Sequence, residues 1–360
     1  MSSKLEPILW LDGKCHLLDQ RLIPSQKSYF IAEDLQSTVY AIREMLVRGA
    51  PAIAIAGAFG MVMEIQKMVQ MPSKEKLDEL FASLQASRPT AVNLSRMILD
   101  FKSKIEGWLA KDIQLDEFQK ACELFAVGEK NRDRQANEKI GQNALSLFPN
   151  DKKKLNIITH CNTGSLATAG HGTALGIIRS LRDAGYEITV FADETRPYLQ
   201  GSRLTAFEMQ EEEIECFIIT DGMSAWLMND RKIDAVIVGC DRIASNGDTA
   251  NKIGTRGLAI IAKESSVPFY VAGTKDSFDF SMKTGEEIHI EMRDPKEVTN
   301  LNFLKDPSGK SILTEGIIAP INAKALNPSF DVTPAKYITK IITEDGVWNP
   351  GEQKRNESQN

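Results

Sequence analysis

The chain has 360 residues, with 43 lysines and arginines against 49 aspartates and glutamates, so its net charge is −6. This length allows two or three domains, and the mild acidity argues against broad nucleic-acid binding, which needs a concentrated basic surface. With 42% apolar and 26% charged residues, the composition is typical of a globular chain and excludes a disordered one.

Neither membrane insertion nor secretion is predicted. The longest weakly polar run, residues 51–63, is shorter than the roughly 20 residues that a membrane-spanning helix needs, and the amino terminus has no apolar signal segment. The five cysteines are scattered without a CxxC pair, and there are only four histidines. The sequence therefore predicts a cytoplasmic protein with no disulfide framework, no metal cluster and no membrane partner.

Residues 1–149 are predicted to form a mostly helical domain with a small antiparallel β element. Two short apolar runs flank Asp12-Gly13, a strong hairpin-turn dipeptide. Apolar residues then recur at intervals of three and four, which is the spacing of helices. Gly49 ends one predicted helix, and Pro51 suits the first turn of the next.

Residues 150–360 are predicted to form a Rossmann-like α/β domain. Apolar strands alternate here with helical stretches, a pattern typical of a parallel sheet with helices on both faces. The predicted strands are 155–161, 188–193, 215–220, 235–241 and 269–273. The predicted helices are 166–184, 202–210, 224–229 and 249–263.

The carboxyl ends of the predicted strands are the expected place for chemistry, because ligands bind there in open parallel sheets. Cys161 stands at the first such end and Asp241 at the fourth, and a thiol and a carboxyl can act as acid and base. Cys161 precedes a predicted helix N-terminus, which would lower the pKa of its thiol, and desolvation would raise the pKa of Asp241. The alternatives, a small buried hydrophobe and a structural cap, remain open at this point.

Three further segments have features of anion sites. Guanidinium and backbone N–H groups at predicted helix starts, and a lysine near the fourth strand end, are groups that bind phosphate. The alternative for the first arginine is that it only caps the C-terminus of the preceding helix. The residues concerned are Arg48, Gly49, Ala50, Arg88 (which precedes a predicted Pro89-initiated helix), Asn251 and Lys252.

Two common classes of α/β enzyme are disfavoured. Gly164, Gly170 and Gly172 do not fit G-x-G-x-x-G, and no P-loop follows a predicted strand, so Asp193 at the second strand end is only a weak candidate for a ribose-binding acid. The absence of G-x-S-x-G argues against a serine hydrolase. A nicotinamide dehydrogenase and a serine hydrolase are therefore not expected.

Several segments in a fixed order resemble a known family. They are RGAPAI at 48–53, RPTAVNL at 88–94, THCNTG at 159–164, DETRPYLQG at 193–201, DRIASNGDTANKIGT at 241–255 and NPSFDVTP at 327–334. With them the chain, from about residue 8 to residue 334, resembles the methylthioribose-1-phosphate isomerases, a family related to the regulatory subunits of eukaryotic translation initiation factor two B. It departs from the family pattern at His171, at Cys240 and in residues 273–277.

The resemblance implies an isomerase of methionine salvage that converts 5-methylthioribose 1-phosphate into 5-methylthioribulose 1-phosphate. It implies a homodimer that needs neither a metal nor a redox cofactor. By the same resemblance, Cys161 and Asp241 are the catalytic residues. The implied substrate-binding residues are Arg48, Gly49, Ala50, Arg88, Gln200, Asn251 and Lys252.

Two alternatives accompany this interpretation. Relatives that resemble the family isomerise 5-deoxyribose 1-phosphate or ribose 1,5-bisphosphate, and the departures named above bear on which sugar is used. A non-catalytic regulatory subunit that senses a phosphorylated metabolite is the other alternative. The presence of both Cys161 and Asp241 favours an enzyme, because a protein that only binds a metabolite needs neither.

Overall fold

The computed structural model describes residues 5–89, 91–111, 113–149, 151, 153–305 and 312–352. These residues fall into two compact units, which we call the N-terminal unit (5–135 with 165–170) and the C-terminal unit (136–164 with 171–352). The division differs from the predicted boundary at residue 150. It does so because helix α5 (Leu115–Ala144) continues past residue 135, and its buried Ile140 and Ala144 belong to the core of the C-terminal unit.

The N-terminal unit is mostly helical with one small antiparallel sheet, as predicted. Its sheet has the order β1-β2-β3, and the predicted turn at Asp12-Gly13 is confirmed, with both residues at positive φ (51° and 71°). Such backbone angles suit a tight hairpin. The elements are β1 (Ile8–Leu11), β2 (Lys14–Leu18), β3 (Tyr29–Ala32), α1 (Leu35–Arg43), α2 (Ala50–Gln66), α3 (Lys74–Gln85), α4 (Val92–Leu109) and the first part of α5.

Helix α2 is the centre of this unit. It is buried along most of its length, as expected for a helix that is apolar on every side. Phe59 stacks on Trp10 of the sheet with the ring centroids 4.8 Å apart. Pro51 lies in its first turn, as predicted. The packing fixes where the N-terminus of α2 lies within the unit.

The strands and helices of the C-terminal unit alternate along the chain. The strands are β4 (Lys154–Thr159), β5 (Glu187–Asp193), β6 (Glu215–Ile219), β7 (Ala235–Val238), β8 (Arg242–Ala244), β9 (Thr249–Lys252), β10 (Phe269–Ala272), β11 (Phe278–Asp279), β12 (Asn300–Lys305), β13 (Ile312–Ile317), β14 (Phe330–Thr333), β15 (Lys340–Thr343) and β16 (Gly346–Trp348). The helices are α6 (Ala174–Asp183), α7 (Ala206–Glu211), α8 (Ser224–Asp230), α9 (Thr255–Glu264) and α10 (Lys296–Thr299).

The main sheet has seven strands in the order β16-β15-β10-β7-β4-β5-β6. All neighbours are parallel except β15 and β16. Numbered in chain order, the six parallel strands are β4, β5, β6, β7, β10 and β15. Across the sheet, starting from β6, they follow the doubly wound order 3-2-1-4-5-6, which confirms the predicted Rossmann-like fold. The order reverses between β4 and β7, where Ile157 pairs with Ala235 and Ile158 with Val236. This reversal is the place where such sheets bind ligands.

The main sheet is covered on both faces. Ile157 and Ile237 belong to one apolar cluster, whereas Ile158 and Val236 belong to another. Neighbouring residues of a strand point to opposite faces, so each central strand contributes to both clusters. The continuous apolar character of these strands follows from this double burial. Within the described residues, no helix has the length and apolarity needed to cross a membrane.

Besides α6, which begins at Ala174 and not at residue 166, two other predicted helices start at different residues in the structure. Residues 249–252, predicted as helical, form β9, because they pair with β14 and β8 in a four-stranded sheet. Gly254, with φ of 106°, then begins α9. The helix predicted after Pro89 starts at Val92. In both places the local spacing predicted a helix. At 249–252 a partner strand distant in sequence determined the structure, and after Pro89 the helix takes Ala91 as its N-cap.

Candidate active site

Cys161 and Asp241 lie just beyond the carboxyl ends of two neighbouring strands. Strand β4 ends at Thr159 and β7 at Val238, and the Thr159 hydroxyl donates a hydrogen bond of 2.8 Å to the carbonyl of Ile237. Parallel strands are spaced about 4.8 Å apart. The structure therefore brings the two residues to one edge of the sheet, at the reversal of strand order.

The backbone of Cys161 is held in an uncommon conformation. Its φ is 68°, a left-handed value that costs free energy in a residue with a side chain. The amide of Cys161 donates to Thr195 Oγ1 at 2.8 Å, and its carbonyl accepts from Thr205 Oγ1 at 2.6 Å. Two hydroxyl groups from the segment that follows β5 thus hold the backbone that carries the thiol.

The thiol of Cys161 has a buried amide as its neighbour. Gln200 is fully buried, and its Nε2 donates to Cys161 Sγ at 3.3 Å. Within the described part of the chain, Gln200 Oε1 is buried without a hydrogen-bond partner. Buried polar atoms nearly always have a partner in native proteins. The geometry therefore indicates that a ligand or a water supplies a donor beside the sulfur.

The helix predicted over 166–184 starts later than predicted, and Ser165–Ala167 form only a single 3-10 turn. In the fully described stretch 159–175, α6 begins only at Ala174. The amides of Thr173 and Leu175, at its start, donate to the carbonyl of Thr163 at 3.0 and 3.4 Å. These N–H groups are thus bonded to the loop rather than directed at a thiol, and the predicted role of a helix N-terminus at Cys161 is wrong.

Burial shields the thiols of the other four cysteines from ionisation. Burial raises the pKa of each of these thiols to about 12, so they stay protonated at neutral pH. Cys161 differs from them in that its sulfur accepts a hydrogen bond from the buried amide of Gln200. The four are Cys15, Cys122, Cys216 and Cys240.

Asp241 connects β7 to a second sheet. Its amide donates to the carbonyl of Ala250 at 2.9 Å, and the next residue, Arg242, pairs with Ala250 between β8 and β9. Asn251 and Lys252 follow Ala250 on β9. The structure therefore places Asp241, Asn251 and Lys252 in adjacent segments, as the sequence could not show.

The side chains of Asn251 and Lys252 are held by their neighbours. Asn251 is buried and donates to Thr255 Oγ1 at 3.0 Å. The Lys252 ammonium donates to the carbonyl of Ser329 at 2.9 Å and lies 4.6 Å from the centre of the Phe330 ring. A lysine fixed in this way presents a positioned positive charge at the β9 end.

Arg48, Gly49, Ala50 and Arg88 lie in the N-terminal unit at the starts of helices. Gly49 is the N-cap of α2 with φ of 89°, and a Cβ at this position would lie 2.3 Å from the carbonyl oxygen of Ala167. Only glycine fits there, and Ala50 then opens the helix. Arg48 and Arg88 are half-buried, and Arg88 lies between α3 and α4.

Two residues that the sequence analysis did not assign to the site are His160 and Asp193. His160 Nδ1 lies 2.9 Å from Asp193 Oδ2, and both side chains are almost fully buried. Both residues stand at or near the ends of predicted strands that are consecutive in the sequence. That placement was the available signal, because such ends meet at one edge of the sheet.

Comparison with known proteins gives a consistent set of relatives. The model of the initiation factor 2 subunit family matches residues 46–350. A protein of Leptospira interrogans named methylthioribose-1-phosphate isomerase is 58% identical over 348 residues, covering 97% of this chain and 96% of its own. A protein of Thermotoga petrophila with the same name is 43% identical over 350 residues, with 97% and 96% coverage.

Two solved structures are similar along nearly the whole chain. One is 5-methylthioribose 1-phosphate isomerase from Pyrococcus horikoshii OT3, with a TM-score of 0.85 and 36% identity over 97% of this chain and 94% of that one. The other is titled translation initiation factor eIF-2B, subunit delta, from A. fulgidus, with a TM-score of 0.82 and 36% identity over 96% of both chains.

Proposed function

The chain belongs to the initiation factor 2 subunit family, and we propose that within this family it is an aldose–ketose isomerase that converts 5-methylthioribose 1-phosphate into 5-methylthioribulose 1-phosphate. The observation that carries the proposal is the placement of Cys161 and Asp241 on neighbouring strand ends at the reversal of the sheet. The names of the relatives that match along nearly the full chain support the substrate.

Asp241 would supply the acid that opens the sugar ring. Phosphate blocks C1 of this substrate, so the ring cannot open through a free hemiacetal hydroxyl. The bond between C1 and the ring oxygen must break instead, and the ring oxygen then takes a proton. Protonated Asp241 suits this step, and the resulting carboxylate can accept the proton that the C2 hydroxyl loses when the ketone forms.

Cys161 would act at the hydrogen that moves from C2 to C1. One route removes it as a proton and passes through an enediol whose O1 carries the phosphate; the other transfers it directly as a hydride. In either route the fixed thiol lies beside the reacting carbons. The buried Oε1 of Gln200 would accept a hydrogen bond from a hydroxyl of the sugar, which accounts for its lack of a protein partner.

The phosphate would be bound by positive charges and backbone N–H groups. In the C-terminal unit, the positioned ammonium of Lys252 and the amide of Asn251 are proposed for this role. In the N-terminal unit, the N-terminus of α2 carries N–H groups without helical partners, which favour an anion. The substrate-binding residues proposed there are Arg48, Gly49, Ala50 and Arg88.

A side-by-side assay tests the substrate. The 1-phosphates of 5-methylthioribose, 5-deoxyribose and ribose 5-phosphate are supplied to the purified protein, and formation of the corresponding ketose is followed. We expect the highest kcat/KM with 5-methylthioribose 1-phosphate. A higher kcat/KM with either of the other two sugars would change the assigned substrate but leave the assigned reaction, aldose–ketose isomerisation, intact.

A regulatory subunit is the second candidate. It is favoured by one observation, the similarity to the structure titled eIF-2B subunit delta, which has the same 36% identity as the isomerase structure. A pure sensor would bind a sugar phosphate without converting it. Binding without turnover of all three sugar phosphates would therefore support the sensor, and turnover of any one of them excludes a purely binding role.

Replacing Arg88 with alanine is expected to weaken substrate binding more than it slows the chemical step. A guanidinium binds phosphate through charged hydrogen bonds, and losing one costs about 1.5–3 kcal/mol, which is a rise of roughly 10- to 150-fold in KM. Steady-state kinetics measure KM and kcat separately. Arg43→Ala, an exposed arginine on α1, is the matched control. An unchanged KM with a large fall in kcat would contradict the assignment.

We also propose a homodimer, with the edge of the main sheet as the interface. Strand β6 is the terminal strand, and Phe217, Ile218 and Trp226 beside it are 45%, 53% and 55% exposed. An exposed edge strand that carries large apolar side chains is a site for association, and two-fold symmetric dimers are the commonest oligomers.

Light scattering at micromolar concentration tests the dimer. We expect a mass near two chains of 39.9 kDa each, and Ile218→Lys is expected to shift it to that of one chain. Leu99→Lys places the same charge at an exposed position of α4 and is expected to leave the mass unchanged. A monomeric wild-type protein would rule the dimer out.

For the cellular location we propose the cytoplasm. The five cysteines are free thiols in the structure, and the reducing cytoplasm would keep them so. A methionine-salvage isomerase would also have its substrate there.

A further inference from the structure

His160 lies in the chain next to Cys161, and both of its ring nitrogens face acceptor groups. Nδ1 lies 2.9 Å from Asp193 Oδ2, and Nε2 lies 2.8 Å from the carbonyl oxygen of Ile253. The His160 and Asp193 side chains are only 1% and 2% exposed. The hydrogen-bonding groups of the ring are therefore bonded to protein atoms within a nearly fully buried side chain.

The geometry fixes how many protons this pair holds. A carbonyl oxygen can only accept, so Nε2 must carry a hydrogen for the bond to Ile253. A second hydrogen must lie between Nδ1 and Oδ2, because two lone pairs facing each other in a buried site would repel. His160 and Asp193 thus hold two protons together, and their net charge is zero whichever atom carries the shared proton.

Asp193 also reaches Cys161 through the backbone. Its Oδ1 accepts from the hydroxyl of Ser224 at 2.8 Å, and its carbonyl accepts from Thr195 Oγ1 at 3.0 Å. Thr195 Oγ1 in turn accepts from the amide of Cys161 at 2.8 Å. The same residue that binds the His160 ring therefore supports the left-handed backbone of Cys161.

On its other side, the His160 ring holds the turn after β9. Ile253 follows Lys252 directly, and a Cβ on Gly254 would lie 2.9 Å from Cε1 of the ring. The turn thus packs against the imidazole and is bonded to it. A change in the ring would move the segment that carries Asn251 and Lys252.

Asp221 lies near this pair but already has its own partners. Its two carboxylate oxygens accept from the amides of Thr195 and Arg196, both at 2.8 Å. His160, Asp193 and Asp221 have ligand-type atoms within 4.8 Å of one another. Because those atoms are bonded to protein groups, the cluster is a hydrogen-bonded support.

We propose that His160 is a positioning residue: with Asp193 it holds the catalytic strand end at Cys161 and the turn at Asn251 and Lys252 in register with each other. The assignment of a substrate to those residues rests on the proposed function. The pairing itself does not, because it follows from the contacts of the free protein.

Acidic groups on three elements face or surround the ring: Asp193 on β5, Asp221 after β6 and Asp331 on β14. Burial lowers the pKa of His160, but the hydrogen bond and charge of Asp193 outweigh it, so this pKa is raised. Burial also raises the pKa of the Asp193 carboxyl, and that of Asp331, whose oxygens accept from the amides of Gly254 and Arg256. These directions agree with the proton count that the geometry gives: the pair keeps its shared proton to a higher pH than a free imidazole does, and loses it as the pH rises through the raised pKa.

Two variants test the positioning role. His160→Phe keeps a flat ring but removes both hydrogen bonds, and we expect KM for 5-methylthioribose 1-phosphate to rise about tenfold or more, since small displacements of binding groups are costly. In Asp193→Asn the amide can donate to Nδ1 while Nε2–H still binds Ile253, so KM is expected to stay within a few-fold of wild type. His289→Phe, at an exposed position, is the control.

These kinetics separate positioning from general stability. A merely structural role would lower the amount of folded enzyme and hence the apparent kcat, with KM unchanged. The wild-type KM is expected to rise at alkaline pH as the shared proton is lost, and Asp193→Asn is expected to abolish that rise. A wild-type KM in folded His160→Phe, or an unchanged alkaline profile in Asp193→Asn, would overturn the proposal.

A measurement on the free protein needs no substrate. The ring nitrogens of the four histidines can be followed by NMR after ¹⁵N-histidine labelling, with His160→Phe giving the assignment. We expect no titration of His160 between about pH 5 and pH 8, the range in which ordinary imidazoles change charge. Ordinary titration in that range would refute the proton count even if turnover is observed. The expected NMR result without turnover of any sugar phosphate would refute the proposed function alone.

Discussion

Asp241→Asn is expected to abolish nearly all turnover while the sugar phosphate still binds. Asparagine has the size of aspartate, but it cannot deliver a proton to the ring oxygen as the bond to C1 breaks. A positioned acid contributes about 10²- to 10⁴-fold to such a step, so kcat should fall by that factor. The proposed phosphate-binding groups are other residues, and KM or the Kd for substrate should change little.

The pH dependence of kcat gives a second measure of the same role. If Asp241 acts in its protonated form, wild-type kcat should fall at high pH, and this fall should be absent from the residual rate of the variant. Asp230→Asn, an exposed residue at the end of α8, is the control for charge loss. A folded Asp241→Asn enzyme that turns over within a few-fold of wild type would exclude Asp241 as the acid.

The sheet and the positions of its strand ends were predictable from sequence. Short, continuously apolar runs such as residues 235–238, bounded by polar residues or glycine, are typical of buried parallel strands. The predicted strand ends alone indicated that Cys161 and Asp241 lie at one edge of the sheet. The sequence pattern did not predict the order of the strands in the sheet. The structure shows that the two strands concerned, β4 and β7, are direct neighbours.

Other features depend on contacts between distant segments. Residues 249–252 have helical spacing, yet they pair with 330–333 as a sheet, and no local signal reports a partner 80 or so residues away. The His160–Asp193 pair joins residues from separate strands, so it exists only once β4 and β5 are paired. Sequence reasoning therefore named Cys161 and Asp241 as the candidate reacting groups and did not predict the pair of buried side chains beside them.

Cys161→Ser is expected to reduce kcat by about 10²- to 10⁴-fold, the range for loss of a group that transfers a proton. Serine keeps the backbone contacts to Thr195 and Thr205, so the left-handed backbone and the fold should persist. A hydroxyl is a much poorer proton acceptor and donor near neutral pH than a thiol. Cys216→Ser, a half-buried thiol on β6, is the control and should retain activity.

Deuterium at C2 of the substrate shows why Cys161 matters. If the thiol carries the hydrogen as a proton, some of the label should exchange with solvent before it reaches C1, and product formed in ²H₂O from unlabelled substrate should contain deuterium at C1. A direct hydride transfer would keep all of the C2 label in the product. In that case Cys161 would only position the sugar, and Cys161→Ser should stay within about tenfold of wild type, below the loss typical of a proton-transfer group. Full label retention together with a small loss of kcat would thus reject proton transfer by Cys161, whereas label exchange with a large loss would establish it.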